Sequence, residues 1–319
     1  MLIIIFLIVY IDVKLGKQLT ESSGNKILNN NFDKCFIGGI YLIFSDKNLI
    51  KNNVLSENYY GVLLEYSSSN YISNNVVNLG EWPAIELYHS NSNTIANNEI
   101  SSGKSVGIYL LYSNYNNVIN NNALKNDEGI LLSHSDYNIL RNNAVLGNKV
   151  HGIRLVSSNH NFILSSKAAN NKFGVTLAYS SYNILRNNKM SKNEYNFGIA
   201  YTDELSHYIQ DIDSSNLVNG RPIYYLVNQS NKQIPSNAGF VGVVNCRNIV
   251  VKGLTLSNNW EGVLFAYTNN SLIGDLSLFN NVRGVFLFSH FNSIKNNKIL
   301  LNSQGVYLSK SFFNTIIKK

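Results

Sequence analysis

Charge, proline, cysteine and methionine are all in short supply. Lys, Arg, Asp and Glu make up 14% of the 319 residues, against about a quarter in an ordinary globular chain. The 26 basic and 19 acidic side chains are scattered, and no basic run with interleaved aromatics marks a nucleic-acid surface. The two cysteines, Cys35 and Cys246, lie in distant parts of the chain, which excludes a disulfide framework and reads as two buried thiols. Copper sites draw on Cys, Met and His. With 2 Cys, 2 Met and 6 His, and no His-x-His, Cys-x-x-Cys or Met cluster, no metal site is expected. Helix-forming residues are thin, which argues against a helical protein. Hydrophobic residues at 45% exclude a disordered chain.

Asparagine is what the chain has in excess. It occurs 54 times, about one residue in six, alongside 20 Tyr and many β-branched residues. Such a bias signals a repeat. The repeat is Gly-(Ile/Val)-x-Leu, a Ser turn, Asn-x-Ile, then Asn-Asn. Its Gly slot holds Gly39, Gly61, Ala84, Gly107, Gly129, Gly152, Gly174 and Gly198, and resumes at Gly262, Gly284 and Gly305. The period of about 22–23 residues belongs to solenoids. Period-2 alternation after the slot (Ile40/Leu42, Val62/Leu64, Ile85/Leu87) describes a half-buried strand. A second short strand carries Ile50, Ile72, Ile95, Ile119, Leu140, Ile163 and Leu185. No stretch of the unit suits a helix.

The reading is all-β: a right-handed parallel β-helix of about 13 coils, a rod roughly 60 Å long at 4.7–4.9 Å per coil. Asn52-Asn53, Asn74-Asn75, Asn97-Asn98, Asn121-Asn122, Asn142-Asn143 and Asn187-Asn188 recur at one turn. An amide both donates and accepts, so stacked amides form a ladder, and Asn tolerates the left-handed backbone of a tight corner. Residues 25–319 read as a single domain, interrupted at about 205–240, where Asn219-Gly220 is a turn and Pro222 to Val227 an added strand. In residues 1–24 the apolar stretch Leu2 to Ile11 is too short to span a bilayer as a helix. It fits a buried strand, a degenerate export signal or the remnant of an upstream segment.

This repeat resembles the NosD-like periplasmic copper-binding proteins, whose β-helix repeats are shared with carbohydrate-binding and sugar-hydrolase (CASH) domains. Asp211 to Gln229, followed by Val243-Val244-Asn245-Cys246, carries the resemblance to NosD most closely. The resemblance implies a periplasmic, secreted or surface location and, for the family's namesake, maturation of the copper centre of nitrous-oxide reductase.

Three functions are weighed: a non-catalytic scaffold or carbohydrate-binding module, a polysaccharide lyase or hydrolase, and an accessory factor in copper-centre maturation. The expected partner is a polysaccharide or surface glycan. No cofactor is required, copper and calcium being the two ions to test. For ligand binding the candidates are Tyr41, Tyr88, Tyr109 and Arg154, all outward on the first strand of the coil, with Phe286 and Tyr307 as further outward aromatics. For catalysis, which needs paired carboxylates, they are Glu65 and Glu86 on neighbouring coils and Asp203, Asp211 and Asp213 beside the interruption.

Overall fold

The structure, a computed structural model, describes residues 16–318 apart from 79 and 102. The apolar stretch at Leu2 to Ile11 lies outside the described residues. A regular coil contributes three short strands, each paired in parallel with its counterpart 21–23 residues away, as Ile40 with Val62 and Ile85 with Ile108. The spacing departs from this only around the break, as at Leu185 with Ile212 and Ile223 with Phe240. The result is a right-handed parallel β-helix of about 14 coils. From Ile40 and Leu42 to Val175 and Leu177, the residue one after the slot and the Leu two further on are buried in every coil. In the ninth strand the slot falls on Asn196 rather than Gly198, because Phe197 and Ile199 pair with Val175 and Leu177 and leave Gly198 on the outward side opposite Thr176. The slot itself passes the next coil closely. A Cβ on Gly152 would sit 2.7 Å from the Gly174 carbonyl and 2.8 Å from the Asn171 amide.

The two asparagines of each Asn-Asn pair do different work. The first takes the left-handed corner, with φ of 56° at Asn52, 53° at Asn74 and 57° at Asn97. The second is buried in the ladder: Asn75 Nδ2 donates to Asn98 Oδ1 at 3.0 Å, and Asn98 Nδ2 to Asn121 Oδ1 at 2.9 Å. In the next coil the pair is Asn120-Asn121 rather than Asn121-Asn122. Asn120 holds the corner at φ 56°, and Val118, not Ile119, is the buried strand residue opposite Ile95. Further ladders run through Asn48, Asn70, Asn93, Asn116, Asn138, Asn161 and Asn183 and through Ser45, Ser67, Ser90, Ser113 and Ser135, all buried.

The coils do not form one continuous rod. The first ladder of strands, from Lys17–Thr20 to Tyr195–Ile199, ends after nine strands. The chain then turns back on itself. Asn219 and Gly220, with φ of 48° and 80°, form the two-residue turn expected of Asn-Gly. Arg221–Val227 pairs antiparallel with Leu217–Val218 and parallel with Phe240–Val244. From there a second stack builds through Glu261–Ala266, Arg283–Phe288 and Gln304–Leu308.

The two faces of that last ladder enter different cores. Val241, Val243, Val263, Phe265, Val285 and Leu287 fill the second stack. Phe240, Val244, Leu264, Ala266, Phe286 and Phe288 instead join the core of the first stack. The second stack thus lays a sheet face across the last coil of the first, covering apolar residues that a bare solenoid end would expose. Trp260 N–H donates to Phe197 O (2.9 Å), and the Tyr225 hydroxyl to Tyr208 O (2.6 Å). Phe197 meets Phe240 edge-on at 4.9 Å.

A carboxyl is buried in this junction. Glu261 is fully buried, with one oxygen on Arg283 Nη1 at 3.3 Å and the other without a partner. Burial lifts it to about 8, against the opposing pull of Arg283. The folded value lies above the unfolded one of about 4.5, so the folded chain holds a proton that the unfolded chain releases across that window. Stability from this group is full below about pH 4.5 and is lost as pH rises toward 8. The thermal midpoint is therefore expected to fall between pH 5 and 8, and Glu261→Gln to flatten that fall. Melting curves at four pH values check it, and an unchanged slope in the variant would count against this account.

Candidate functional site

The outward face of the first ladder is where the sequence-derived candidates converge. Its register sets Tyr41, Leu63, Glu86, Tyr109, Leu131, Arg154 and Thr176 in one column along the axis. The column two residues on holds Ile43, Glu65, Tyr88, Leu111 and Ser133. Glu65 and Glu86 are thus diagonal neighbours on adjacent coils, a spacing of roughly 7–8 Å between backbones. The Tyr41 hydroxyl donates to Glu65 Oε2 at 2.5 Å. Glu86 is 9% exposed, and no hydrogen bond to it occurs among the described residues. Burial first, then the Glu65 charge, lifts its carboxyl to about 7. Burial and then the Glu86 charge push the Tyr60 phenol up to about 12, and Tyr109 rises for the same two causes.

Aromatic rims border this floor on both sides. Along the corner after the strand, Phe44, Tyr66, His89, Tyr112 and His134 stack ring on ring at centroid spacings of 5.2, 5.1, 4.9 and 4.9 Å. Each holds a left-handed backbone with φ between 47° and 50°. On the side before the strand, Tyr59, Tyr60 and Trp82 cluster at 5.5–5.8 Å, with Tyr59 and Trp82 exposed. The floor between the rims is a face running along the axis, the candidate groove.

Two residues of this face escaped the sequence reading. Glu128 and His151 stand just before the Gly slot, two and three coils beyond Glu86. Glu128 Oε1 bonds His151 Nδ1 at 3.1 Å and Arg154 Nη1 at 3.2 Å, and its Oε2 is buried without a partner. Burial pushes this carboxyl up, but the hydrogen bond and electrostatic pull of His151, then of Arg154, outweigh it and hold the group below the ordinary carboxylate range. The signal was legible as a Glu-then-His succession at one slot, masked by Tyr60, Val106 and Phe173 in the same slot.

The second acidic group does not join the groove. Asp203 takes Lys310 Nζ at 2.6 Å and the Tyr201 hydroxyl, while its carbonyl accepts from the Tyr267 hydroxyl at 2.7 Å. These contacts strap the second stack to the loop after the last coil of the first. Asp211 and Asp213 share Arg186 at 2.5 and 3.3 Å. Phe286 and Tyr307, outward by sequence, belong to the junction. Phe286 is 1% exposed, stacked on Tyr307 at 5.7 Å and edge-on to Tyr201 at 5.8 Å. They are no part of an exposed aromatic face.

Among the described residues the candidate copper donors do not converge. His89 and His134 stack on opposite faces of Tyr112, and no three His, Cys, Asp or Glu side chains gather into a metal-holding group among the described residues. Cys35 and Cys246 are both buried.

Comparison with known proteins agrees with this architecture. The model of the right-handed β-helix region matches residues 16–162 and 125–238, and the chain belongs to that family. Its C-terminal part, residues 211–319, matches the model of the periplasmic copper-binding protein NosD. No relative among curated protein sequences matches. Among solved structures, a double mutant of the periplasmic alginate epimerase AlgG shares the fold at a TM-score of 0.53 and 22% identity, over 59% of this chain. The present chain spans 49% of that epimerase's length. The A-module of the mannuronan C-5 epimerase AlgE4 from Azotobacter vinelandii aligns over 95% of this chain and 79% of its own, at 12% identity and a TM-score of 0.47. A tailspike mutant of E. coli bacteriophage HK620 aligns over 88% and 60%, at 10% identity and 0.42. Among the described residues no helix is long and apolar enough to cross a membrane.

Proposed function

We propose that this chain is a carbohydrate-binding β-helix acting outside the cytoplasm, and that the groove on its first ladder holds a polysaccharide lying along the axis. One observation carries the reading: outward Tyr and Glu side chains stand in register on a floor bordered by two aromatic rims, with Glu86 only 9% exposed and taking no hydrogen bond among the described residues. Aromatic faces stack on the apolar faces of sugar rings, while carboxylates and phenols accept and donate to hydroxyls. The repeat of 4.7–4.9 Å per coil lets one side chain per coil address successive parts of a chain-like ligand. The periplasmic description of the NosD family supports the location.

The test is a glycan array coupled to a polysaccharide-degradation screen. Trp82→Ala and Tyr109→Ala should each weaken binding about ten-fold with unchanged melting, because one aromatic face stacked on a ring contributes roughly 1–1.5 kcal/mol. Full affinity in both variants would remove the groove from the site.

A second reading has one specific observation behind it. Glu86, lifted to about 7 beside Glu65, has the environment of a carboxyl able to donate a proton to a leaving group. Release of reducing ends in the degradation screen, abolished by Glu86→Gln, would move the protein to the hydrolases.

A further inference from the structure

The groove floor is acidic in a chain that is basic overall, with formal charge +7. Glu65, Glu86 and Glu128 stand on it against one guanidinium, Arg154, and that one is committed to Glu128. Lys104 and Lys149, on the loops leading into the strands of the floor, are paired with Glu81 and Asp127. No ion pair among the described residues reaches Glu65 or Glu86. Glu86 stands on the outward register between Leu63 and Tyr109, so the little exposure it keeps opens on the groove. A buried carboxyl with no donor, beside a second carboxyl, is costly. A ligand that brings donors and positive charge relieves that cost and lets Glu86 ionise.

We infer that the groove selects a glycan bearing protonated amino groups, a glucosamine-type polymer, over a uronic-acid polymer, with an ammonium seated between Glu65 and Glu86. This rests on the reading of the groove as a glycan site. An ammonium offers three donors and one charge, enough to serve both carboxyls. The rims add attraction, because Tyr and Trp faces favour a nearby cation. A uronate would bring a negative charge into the same space and oppose the ionisation of Glu86. The groups facing Glu86 from its own and adjacent coils are Glu65, Tyr60, Tyr88 and Tyr109, none of which is cationic near neutrality. A cation arriving there pulls the Glu86 carboxyl down from about 7, so binding at pH 6 expels a proton from Glu86.

Calorimetry decides the matter, with hexamers of glucosamine, N-acetylglucosamine and galacturonic acid at pH 6, in two buffers of different ionisation heat. The comparison is stringent, since overall charge favours the uronate. The glucosamine hexamer should bind at least ten-fold tighter than its acetylated form, release a fraction of a proton, and leave the uronate without measurable binding. Glu86→Gln, of nearly the same shape, should shrink the amine advantage below three-fold and abolish proton release. Equal or tighter uronate binding overturns the inference, as does an amine advantage that survives Glu86→Gln. Equal affinity for the acetylated and free-amine hexamers overturns the charge selection while leaving the glycan groove standing. Silence from all three hexamers overturns the selection, and silence across the wider array as well brings down the glycan reading itself.

Discussion

Replacing Asn121 with alanine will destabilise the protein by roughly 2–4 kcal/mol, whereas Asn120→Gly, one residue earlier, will change stability by less than about 1 kcal/mol. The contrast follows from the division of labour at the corner. Asn121 is fully buried. Its oxygen accepts from both the main chain (3.0 Å) and the side chain (2.9 Å) of Asn98, and its amide donates to the Ile95 carbonyl at 2.8 Å and to Asn143 Oδ1 at 3.2 Å. Alanine leaves the buried Asn98 N–H without an acceptor and interrupts the ladder in both directions. An orphaned buried donor costs about 1–3 kcal/mol, and the other broken hydrogen bonds add to that. Asn120 holds φ at 56°, its main-chain N–H donates to Arg141 O (2.9 Å), which glycine keeps, and its exposed side chain donates to Asn97 Oδ1. Glycine keeps that backbone at no steric cost. Urea unfolding of both variants checks the pair, and equal destabilisation would mean that ladder and corner are one structural unit.

That contrast also marks where the sequence is legible. A solenoid repeats each structural demand every 22 or 23 residues, so a buried amide, a left-handed corner and a close-passing glycine each leave a column of like residues. Tyr41, Glu65, Glu86, Tyr88, Tyr109 and Arg154 fall on one face because period-2 alternation on an aligned repeat fixes the side of the sheet. Legibility fails where the column loses contrast. Five Asn crowd into residues 116–122, and with nearly every position eligible the register slips by one. It fails again for Glu128 and His151, whose slot tolerates Tyr, Pro, Val and Phe in other coils. Asp203, Asp211 and Asp213 cluster in sequence, but each is taken by a cation or a phenol at or near the break, where the next stack must be tied down.

The charge of the groove illustrates a related separation of scales. Net charge and composition describe the solvent-facing majority and set long-range attraction. What a ligand meets at contact is set by three glutamates and one guanidinium held in register. Asn in place of charge keeps the corners from repelling one another, and that neutrality makes the few charged residues on the floor count.

Phe286→Ala will cost about 3–5 kcal/mol, the range for emptying a buried aromatic site, and will leave glycan binding at the groove unchanged. By sequence Phe286 occupies the outward slot, equivalent to Glu86 or Tyr109, where truncation on a bare sheet face costs almost nothing. In the folded chain that slot is 1% exposed, with Tyr201 against its edge and the Arg283 guanidinium 5.2 Å from its ring centre. Outwardness in a solenoid says only that a side chain leaves its own coil. Whether it reaches solvent depends on what else the chain lays against that face, and here the reversal at Asn219-Gly220 turns one stack onto the end of another. The neighbouring glycine makes the same demand from the other side: a Cβ on Gly198 would lie 2.1 Å from Trp260 Cβ, so the two surfaces meet with no room for a methyl group. If the Phe286→Ala variant melts with the parent protein, the second stack does not hold down the first. If it melts well below the parent while Trp82-dependent binding persists, docking and recognition are separate tasks of the two stacks.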